Sequence, residues 1–309
     1  MRLKVSIIGA GAVGASTARA IAERNYADVL LVDVVENLPQ GVALDIAECG
    51  PIMGFDSQVT GSNRYEDIEG SDLVLVTAGV PRKPGMSRDD LVRVNADIVR
   101  SVMGHVKSRC PSGIVLMMTN PLDAMAYLAM KETGFEPPRV IGQAGVLDSA
   151  RFRTFIAMEL KVSVKDVTAL VLGGHGDQMV PLPRFTTVNG VPLPELMPEE
   201  RIEALVQRTR DGGAEIVNLL GRSAYYAPAA AFLDMVDAIV WDQQRLLSAS
   251  VHLNGEYGQK DVYLGVPIIL GAGGVQRVVE LPLQPDERQA LETSAAAVRE
   301  LLAVMGFSR

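Results

Sequence analysis

Cysteine, histidine, positive charge and long apolar runs are all scarce in this chain of 309 residues. Each scarcity excludes something. The two cysteines, Cys49 and Cys110, are far apart with no CxxC spacing, which fits free thiols in a reducing compartment rather than a disulfide framework. With three histidines, His105, His175 and His252, and no HExxH, no metal site is expected. A GxSxG elbow and a P-loop are equally missing. The formal net charge is -8 and the pI is near 5.1. No basic run or interleaved aromatic stripe offsets that balance, so nucleic acid is not an expected partner. The longest uncharged run, Val262–Val275, is broken by Pro267 and glycines and falls short of the roughly 20 residues that span a bilayer. The apolar start Val5–Ile8 runs into glycines and then Arg19 rather than a cleavage-type site. No internal repeat or low-complexity tract stands out. The expectation is a soluble, cytoplasmic globular protein with no membrane partner.

What is present begins with Leu3–Ile8, a short β-prone run followed at once by Gly9-Ala-Gly-Ala-Val-Gly14 and a helical pattern through Ile21. Strand, glycine turn and helix in that order fit a dinucleotide site, with an anion held at the helix N-terminus. A second strand, Val29–Val32, ends in Asp33, near the interval of about 20 residues expected for a carboxylate on an adenosine ribose. An acid there accepts hydrogen bonds from a 2′-hydroxyl and repels a 2′-phosphate, which favours NAD over NADP. Alternatively, Asp33 caps a strand end. Further strands are read at Asp72–Thr77 and Ile114–Met118, with helices at Leu38–Cys49 and Arg88–Lys107. Alternation of this kind predicts an α/β fold with a doubly wound parallel Rossmann sheet, followed by a mixed α+β domain. Ligands bind outside the carboxyl ends of such strands. The loop Ala78-Gly-Val-Pro-Arg-Lys-Pro-Gly-Met-Ser-Arg88 and the turn Thr119-Asn120-Pro121 leave from that edge. Arg82, Lys83 and Arg88 concentrate positive charge there in an acidic chain, as an anion site would. Asn120 either donates to a substrate oxygen or simply forms a turn, and the isomer of its bond to Pro121 is left open.

The second half supplies acid–base residues. Strand Val140–Gly142 is followed by Gly145-Val-Leu-Asp-Ser-Ala-Arg151, which opens a helix to about Leu160 and puts Asp148 and Arg151 on one face. That pair is either functional or a surface ion pair worth less than about 1 kcal/mol. An apolar strand at Val167–Leu172 ends in Gly173-Gly-His-Gly-Asp177. His175 is thus presented by glycine-rich backbone at a strand end, with a pKa suited to proton transfer. His105 and His252 fall in a helix and a strand and read as structural. Asp148 and Asp177 are the candidates to orient His175, and Asp148 is preferred. Asn189-Gly190 signals a hairpin within Arg184–Leu193. Pro198–Leu220, Ala224–Trp241 and a stretch from Pro285 to Gly306 read as helices, and Leu246–Leu253, Val266–Leu270 and Val278–Leu283 as strands. Gly271-Ala-Gly-Gly274 imitates a nucleotide turn, but Gln276 stands where the third glycine belongs, so a β-turn is expected.

Taken together, GAGAVG with Asp33, AGVPRKPGMSR, TNP, GQAGVLDSAR and GGHGD occur in order over nearly the whole chain, and in this the sequence resembles the lactate/malate dehydrogenase family. The resemblance implies an NAD-binding domain over 1–144 and a catalytic domain over 145–309. It implies cofactor contacts at Gly9, Ala10, Gly11, Ala12, Val13, Gly14, Asp33, Asn95, Met118, Thr119 and Asn120. By the same resemblance His175 accepts the proton, Asp148 is its partner, Arg151 clamps the carboxylate beside the reacting carbon, and Arg88 and Asn120 bind the reacting oxygen. Arg82 would then take the second carboxylate of a small dicarboxylate, where lactate-type members usually carry glutamine. The implied reaction is hydride transfer between (S)-malate and NAD, giving oxaloacetate and NADH. A lactate or other 2-hydroxyacid dehydrogenase, a dinucleotide-binding protein without turnover and an NAD-dependent glycoside hydrolase are the competing readings. A homo-oligomer is also implied, a tetramer before a dimer.

Overall fold

The apolar runs of the first half become the centre of one large sheet, in a computed structural model that describes residues 2–81 and 86–307. In chain order the first half contains β1 (Leu3–Ile8), α1 (Ala12–Arg24), β2 (Ala27–Val32), α2 (Leu38–Met53), β3 (Val59–Ser62), β4 (Leu73–Val76), α3 (Arg88–Arg109), β5 (Ile114–Met117), α4 (Leu122–Thr133) and β6 (Val140–Gly142). These six strands lie in the spatial order β6-β5-β4-β1-β2-β3, every neighbouring pair parallel. β4 and β5 are buried at every residue, because helices cover both faces of a parallel sheet. The order reverses between β1 and β4, the point at which sheets of this kind bind ligands in a crevice outside the carboxyl ends of the strands.

β3 is a strand that the pattern of apolar residues does not reveal. It is four residues long at the sheet edge, and Gly61 within it has no side chain because the backbone of Pro39, at the start of α2, presses on that position: a Cβ would come within 2.1 Å of the Pro39 carbonyl oxygen. α3 begins at Arg88 because Ser87 and Asp90 form a reciprocal capping box, Ser87 Oγ accepting the Asp90 N–H at 3.0 Å and Asp90 Oδ2 accepting the Ser87 N–H at 3.1 Å.

The second half runs α5 (Gly145–Leu160), β7 (Val167–Thr168), β8 (Val171–Leu172), β9 (Val180–Pro181), β10 (Thr187–Val188), β11 (Val191–Pro192), α6 (Glu199–Leu220), α7 (Tyr226–Val240), β12 (Arg245–Asn254), β13 (Lys260–Gly271), β14 (Gly274–Val278) and α8 (Pro285–Val304). β12, β13 and β14 continue the first sheet in antiparallel fashion beyond β6, giving nine strands. The expected single strand at Val167–Leu172 is two: β7 joins the small sheet with β10 and β11, while β8 pairs with β9. The chain changes sheets between them, which an unbroken apolar run cannot signal. The strand expected at Val278–Leu283 lies earlier in the chain, at Gly274–Val278. β14 starts at Gly274, directly after the predicted turn, and pairs with β13 through Val278. Asn189 and Gly190 form the predicted hairpin turn, both with positive φ (47° and 86°), the geometry of a type I′ turn.

Candidate active site

The glycine turn follows from close packing. Gly9 has φ +110°, a conformation L side chains rarely adopt, and a Cβ at Gly14 would lie 1.9 Å from the Gly9 carbonyl oxygen, so the first turn of α1 can approach β1 only with glycine at both places. At Gly11, by contrast, a Cβ would meet nothing within 4 Å. Gly11 is the N-cap of α1 and supplies no side-chain cap, which leaves the first amides of the helix, at Ala12 and Val13, to a ligand anion. Asp33 does two things at once. Its carboxylate accepts the Ala10 N–H at 2.7 Å and the Val35 N–H at 2.9 Å, so it braces the glycine turn as well as the end of β2. A carboxylate has about four acceptor directions, so these two bonds leave capacity for ribose hydroxyls. The open space at Gly11, the uncapped helix and the half-buried Asp33 together fit a dinucleotide.

The crevice floor is tied together at the strand ends. Thr77 Oγ1 donates to the Gly9 carbonyl at 3.1 Å, and Thr119 Oγ1 to the Ala78 carbonyl at 2.6 Å. Asn95 is 1% exposed, and its amide is committed to main chain: Oδ1 accepts the Val80 N–H at 2.8 Å, while Nδ2 donates to the carbonyls of Asn120 (2.7 Å) and Val80 (3.2 Å). Its side chain therefore joins the cationic loop to the Thr119-Asn120-Pro121 turn rather than projecting into the crevice. Met118 is half-buried against the core, Asn120 is exposed, and the Asn120–Pro121 bond is cis. Arg88 is exposed at the first residue of α3. Arg82 and Lys83 lie outside the described residues.

The candidate acid–base residues of the second half meet. His175 Nδ1 lies 2.9 Å from Asp148 Oδ2, and Arg151 Nη1 lies 3.4 Å from Asp148 Oδ1. The side chains of Asp148, Arg151 and His175 are 3%, 14% and 17% exposed, so this is a sheltered triad and not a surface ion pair. Asp177 is exposed, and Asp148 is the orienting partner. Burial opposes the charged imidazolium most strongly, but the charge and hydrogen bond of Asp148 outweigh it, and the His175 pKa stands above its ordinary value, with Arg151 lowering it and Asp123 raising it. Arg151 Nε is buried without a hydrogen-bond partner among the described residues. A guanidinium that gives one Nη to Asp148 and leaves Nε unsatisfied is disposed to take an anion.

Residues unremarked in the sequence complete the site. Asp123, in the first turn of α4, is 4% exposed; it accepts the His175 main-chain N–H at 2.8 Å and the Ser250 hydroxyl at 2.6 Å. The signal was available: α4 is buried almost all round from Leu122 to Met130, and one acid stands in that apolar run. Gly212, buried in α6, faces the Arg151 side chain, and a Cβ there would lie 3.2 Å from Arg151 Cδ; a neighbouring Cβ at Gly213 would lie 3.7 Å from Nη2. Two adjacent glycines inside a helix, each costing about 1 kcal/mol relative to alanine, were the legible hint. Gln143, 2% exposed just past β6, has both amide atoms buried without a partner.

A Rossmann sheet with a glycine turn and a strand-end acid, joined to a buried histidine–aspartate pair and an arginine, defines a nucleotide-dependent dehydrogenase. Residues 3–142 match the lactate/malate dehydrogenase NAD binding domain, and residues 145–305 match the lactate/malate dehydrogenase alpha/beta C-terminal domain; the chain belongs to the lactate/malate dehydrogenase family. It is 60% identical over 305 residues to a malate dehydrogenase of Thermomicrobium roseum, with 99% of each chain covered. Among solved structures, the malate dehydrogenase of Salinibacter ruber superposes with a TM-score of 0.95 at 48% identity, covering 98% of both chains. That of Picrophilus torridus gives 0.96 at 44% identity, covering 98% of this chain and 97% of its own.

Proposed function

We propose that this chain interconverts (S)-malate and oxaloacetate with NAD. The observation that carries the reading is the buried His175–Asp148 hydrogen bond with the unsatisfied Arg151 Nε beside it. When bound, NAD supplies the hydride acceptor for C2 of malate. Asp148 accepts from Nδ1–H and so leaves the lone pair on His175 Nε2, the atom that takes the hydroxyl proton during oxidation and returns it to the carbonyl during reduction. Arg151 binds the carboxylate next to C2 through parallel hydrogen bonds that lysine could not reproduce. Arg82 takes the far carboxylate, Arg88 and Asn120 polarise the reacting oxygen, and closure of the loop that carries Arg82 and Arg88 excludes water. Gly9 to Gly14 hold the pyrophosphate and Asp33 the ribose, so residues 1–144 serve the cofactor and 145–309 the chemistry.

The nearest competing substrate is a monocarboxylate 2-hydroxy acid such as lactate. It would leave Arg82 unpaired in the closed site, at a cost of about 2–5 kcal/mol. The test is NADH oxidation with oxaloacetate beside pyruvate. Oxaloacetate is expected to be strongly preferred, and R82Q to narrow that preference by orders of magnitude; an unchanged ratio in R82Q would remove Arg82 from the assignment.

The quaternary state belongs to the same reading. Leu44, Ile52 and Met53 on α2 and Leu219 and Leu220 on α6 are all more than half exposed, and apolar side chains of this size support burial against further copies. A cytoplasmic homotetramer is the expected state, and light scattering at micromolar concentration distinguishes it from a dimer. Among the described residues no helix is long and apolar enough to cross a membrane.

A further inference from the structure

The histidine loop is held by more than Asp148. Gly173 is bridged to Gly265 of β13 through N–H···O bonds of 2.8 and 3.1 Å. The next two amides then leave the sheet and find buried side chains from two separate elements, one of them braced by a side chain from a third. The Gly174 N–H donates to Ser294 Oγ of α8 at 2.8 Å, and Ser294 is fully buried. The His175 N–H donates to Asp123 Oδ2 of α4 at 2.8 Å, and Asp123 Oδ1 is held in turn by the buried Ser250 hydroxyl of β12 at 2.6 Å. Space is as restricted as the bonding: a Cβ at Gly174 would lie 3.1 Å from Val298, 3.3 Å from Asp123 Oδ2 and 3.5 Å from Ser294 Oγ. None of the three side chains is made by the loop itself, and their partners are 52, 120 and 127 residues distant.

We infer that Asp123, with Ser250 and Ser294, forms a buried clamp on the main chain of Gly174 and His175, and that Asp123 is a positioning residue for proton transfer. Asp148 fixes the rotation of the imidazole, but it cannot fix where the histidine backbone stands. Asp123 does that, through the peptide amide. A buried carboxylate with no salt bridge among the described residues is an expensive way to hold one N–H and one hydroxyl. Burial raises the Asp123 pKa, the mark of a group kept for geometry at some cost in stability. The inference rests on His175 being the acid–base residue. A displacement of about 1 Å at such a residue costs roughly 10²-fold in rate, and because the clamp touches neither Arg151 nor the glycine turn, the loss should fall on kcat.

The test is steady-state kinetics of the full-length enzyme in both directions for D123A, D123N, S294A and S250A, with H175N as reference. D123A is expected to lose about 30- to 100-fold in kcat while KM for oxaloacetate and for NADH stays within about threefold. D123N can still accept the His175 amide with Oδ1 and donate to Ser250 with Nδ2, so it should restore most of the rate lost in D123A. S294A and S250A delete one hydroxyl each and should lose several-fold in kcat alone; they carry the test if D123A does not fold. An unchanged kcat in D123A, or in both serine variants where D123A cannot be made, overturns the clamp, as does a loss expressed in KM. D123N as impaired as D123A would show that charge, and not the amide bond, is what Asp123 provides. Should H175N itself remain active, the assignment of His175 fails, and that outcome is distinct from a failure of the clamp.

Discussion

The glycine turn after β1 and the histidine loop after β8 both place chemistry at a strand end, yet they are built in opposite ways. The turn is made of main chain. Gly9 packs against Gly14, the Asp33 carboxylate holds the Ala10 N–H from 23 residues away, and the Thr77 hydroxyl holds the Gly9 carbonyl from 68 residues away. The histidine loop is made of side chains from α4, α5, β12 and α8, brought together across 27 to 127 residues. A backbone site binds an anion through dipoles that no substitution can remove, so its tolerance is set by space. A side-chain site performs proton transfer through groups that can be altered one at a time, so its tolerance is set by chemistry.

Four substitutions sharpen the contrast. The largest effect is expected for H175N, which removes the proposed proton acceptor and should lower kcat by about 10²- to 10⁴-fold with NADH affinity retained, as read by fluorescence titration; a mild kcat defect would break the division between the two sites. D148N comes next, and its signature is a pH shift. The Asp148 charge and hydrogen bond hold the His175 pKa above its ordinary value against burial and Arg151. Malate oxidation needs the neutral imidazole, so the acid limb of kcat/KM for malate should lie above the ordinary histidine range and move to lower pH in D148N. The linked stability has the matching sign. A raised folded-state pKa contributes stability that is fully present below the ordinary value and is lost as pH rises through the raised one. D148N should therefore be most destabilised, relative to the parent, on the acid side of that window.

On the glycine side, G14A forces a Cβ to within 1.9 Å of the Gly9 carbonyl. Overpacking of this kind costs about 1–3 kcal/mol and should appear as a lower melting temperature and a raised KM for NAD, with kcat at saturating cofactor much less affected. The smallest effect is expected for G212A. Alanine improves a helix interior by up to about 1 kcal/mol, so thermal stability should hold or rise. The new methyl group 3.2 Å from Arg151 Cδ nevertheless shifts the guanidinium, and KM for oxaloacetate should rise by about threefold to tenfold, equivalent to roughly 1 kcal/mol of binding. An unchanged KM would mean that Arg151 accommodates the methyl group without moving.

Local periodicity made β1, α3, β6, α5 and α8 legible close to their true ends, because each is bounded by a glycine, a proline or a capping residue that acts on its own neighbours. It missed β3, which is polar and exists because α2 packs against Gly61. It merged β7 and β8, whose separation depends on which strands they meet. The same division holds in the site. Asp33, Asp148, Arg151 and His175 announce themselves by motif, whereas Asp123, Ser250, Ser294 and Gly212 carry no motif and gain meaning only through their neighbours.

The sequence by itself determined the nucleotide turn, the acid at the end of β2, the histidine between glycines and the alternation of strands and helices that makes the sheet parallel. Each of these follows from steric and hydrogen-bonding rules that operate within a few turns of chain. Only the tertiary structure decided that Asp148 and not Asp177 meets the imidazole, that the Asp33 carboxylate also braces the glycine turn, and that a buried acid on α4 holds the histidine amide. Those outcomes depend on which distant surfaces close-pack, and on the requirement that every polar group buried between them find a partner.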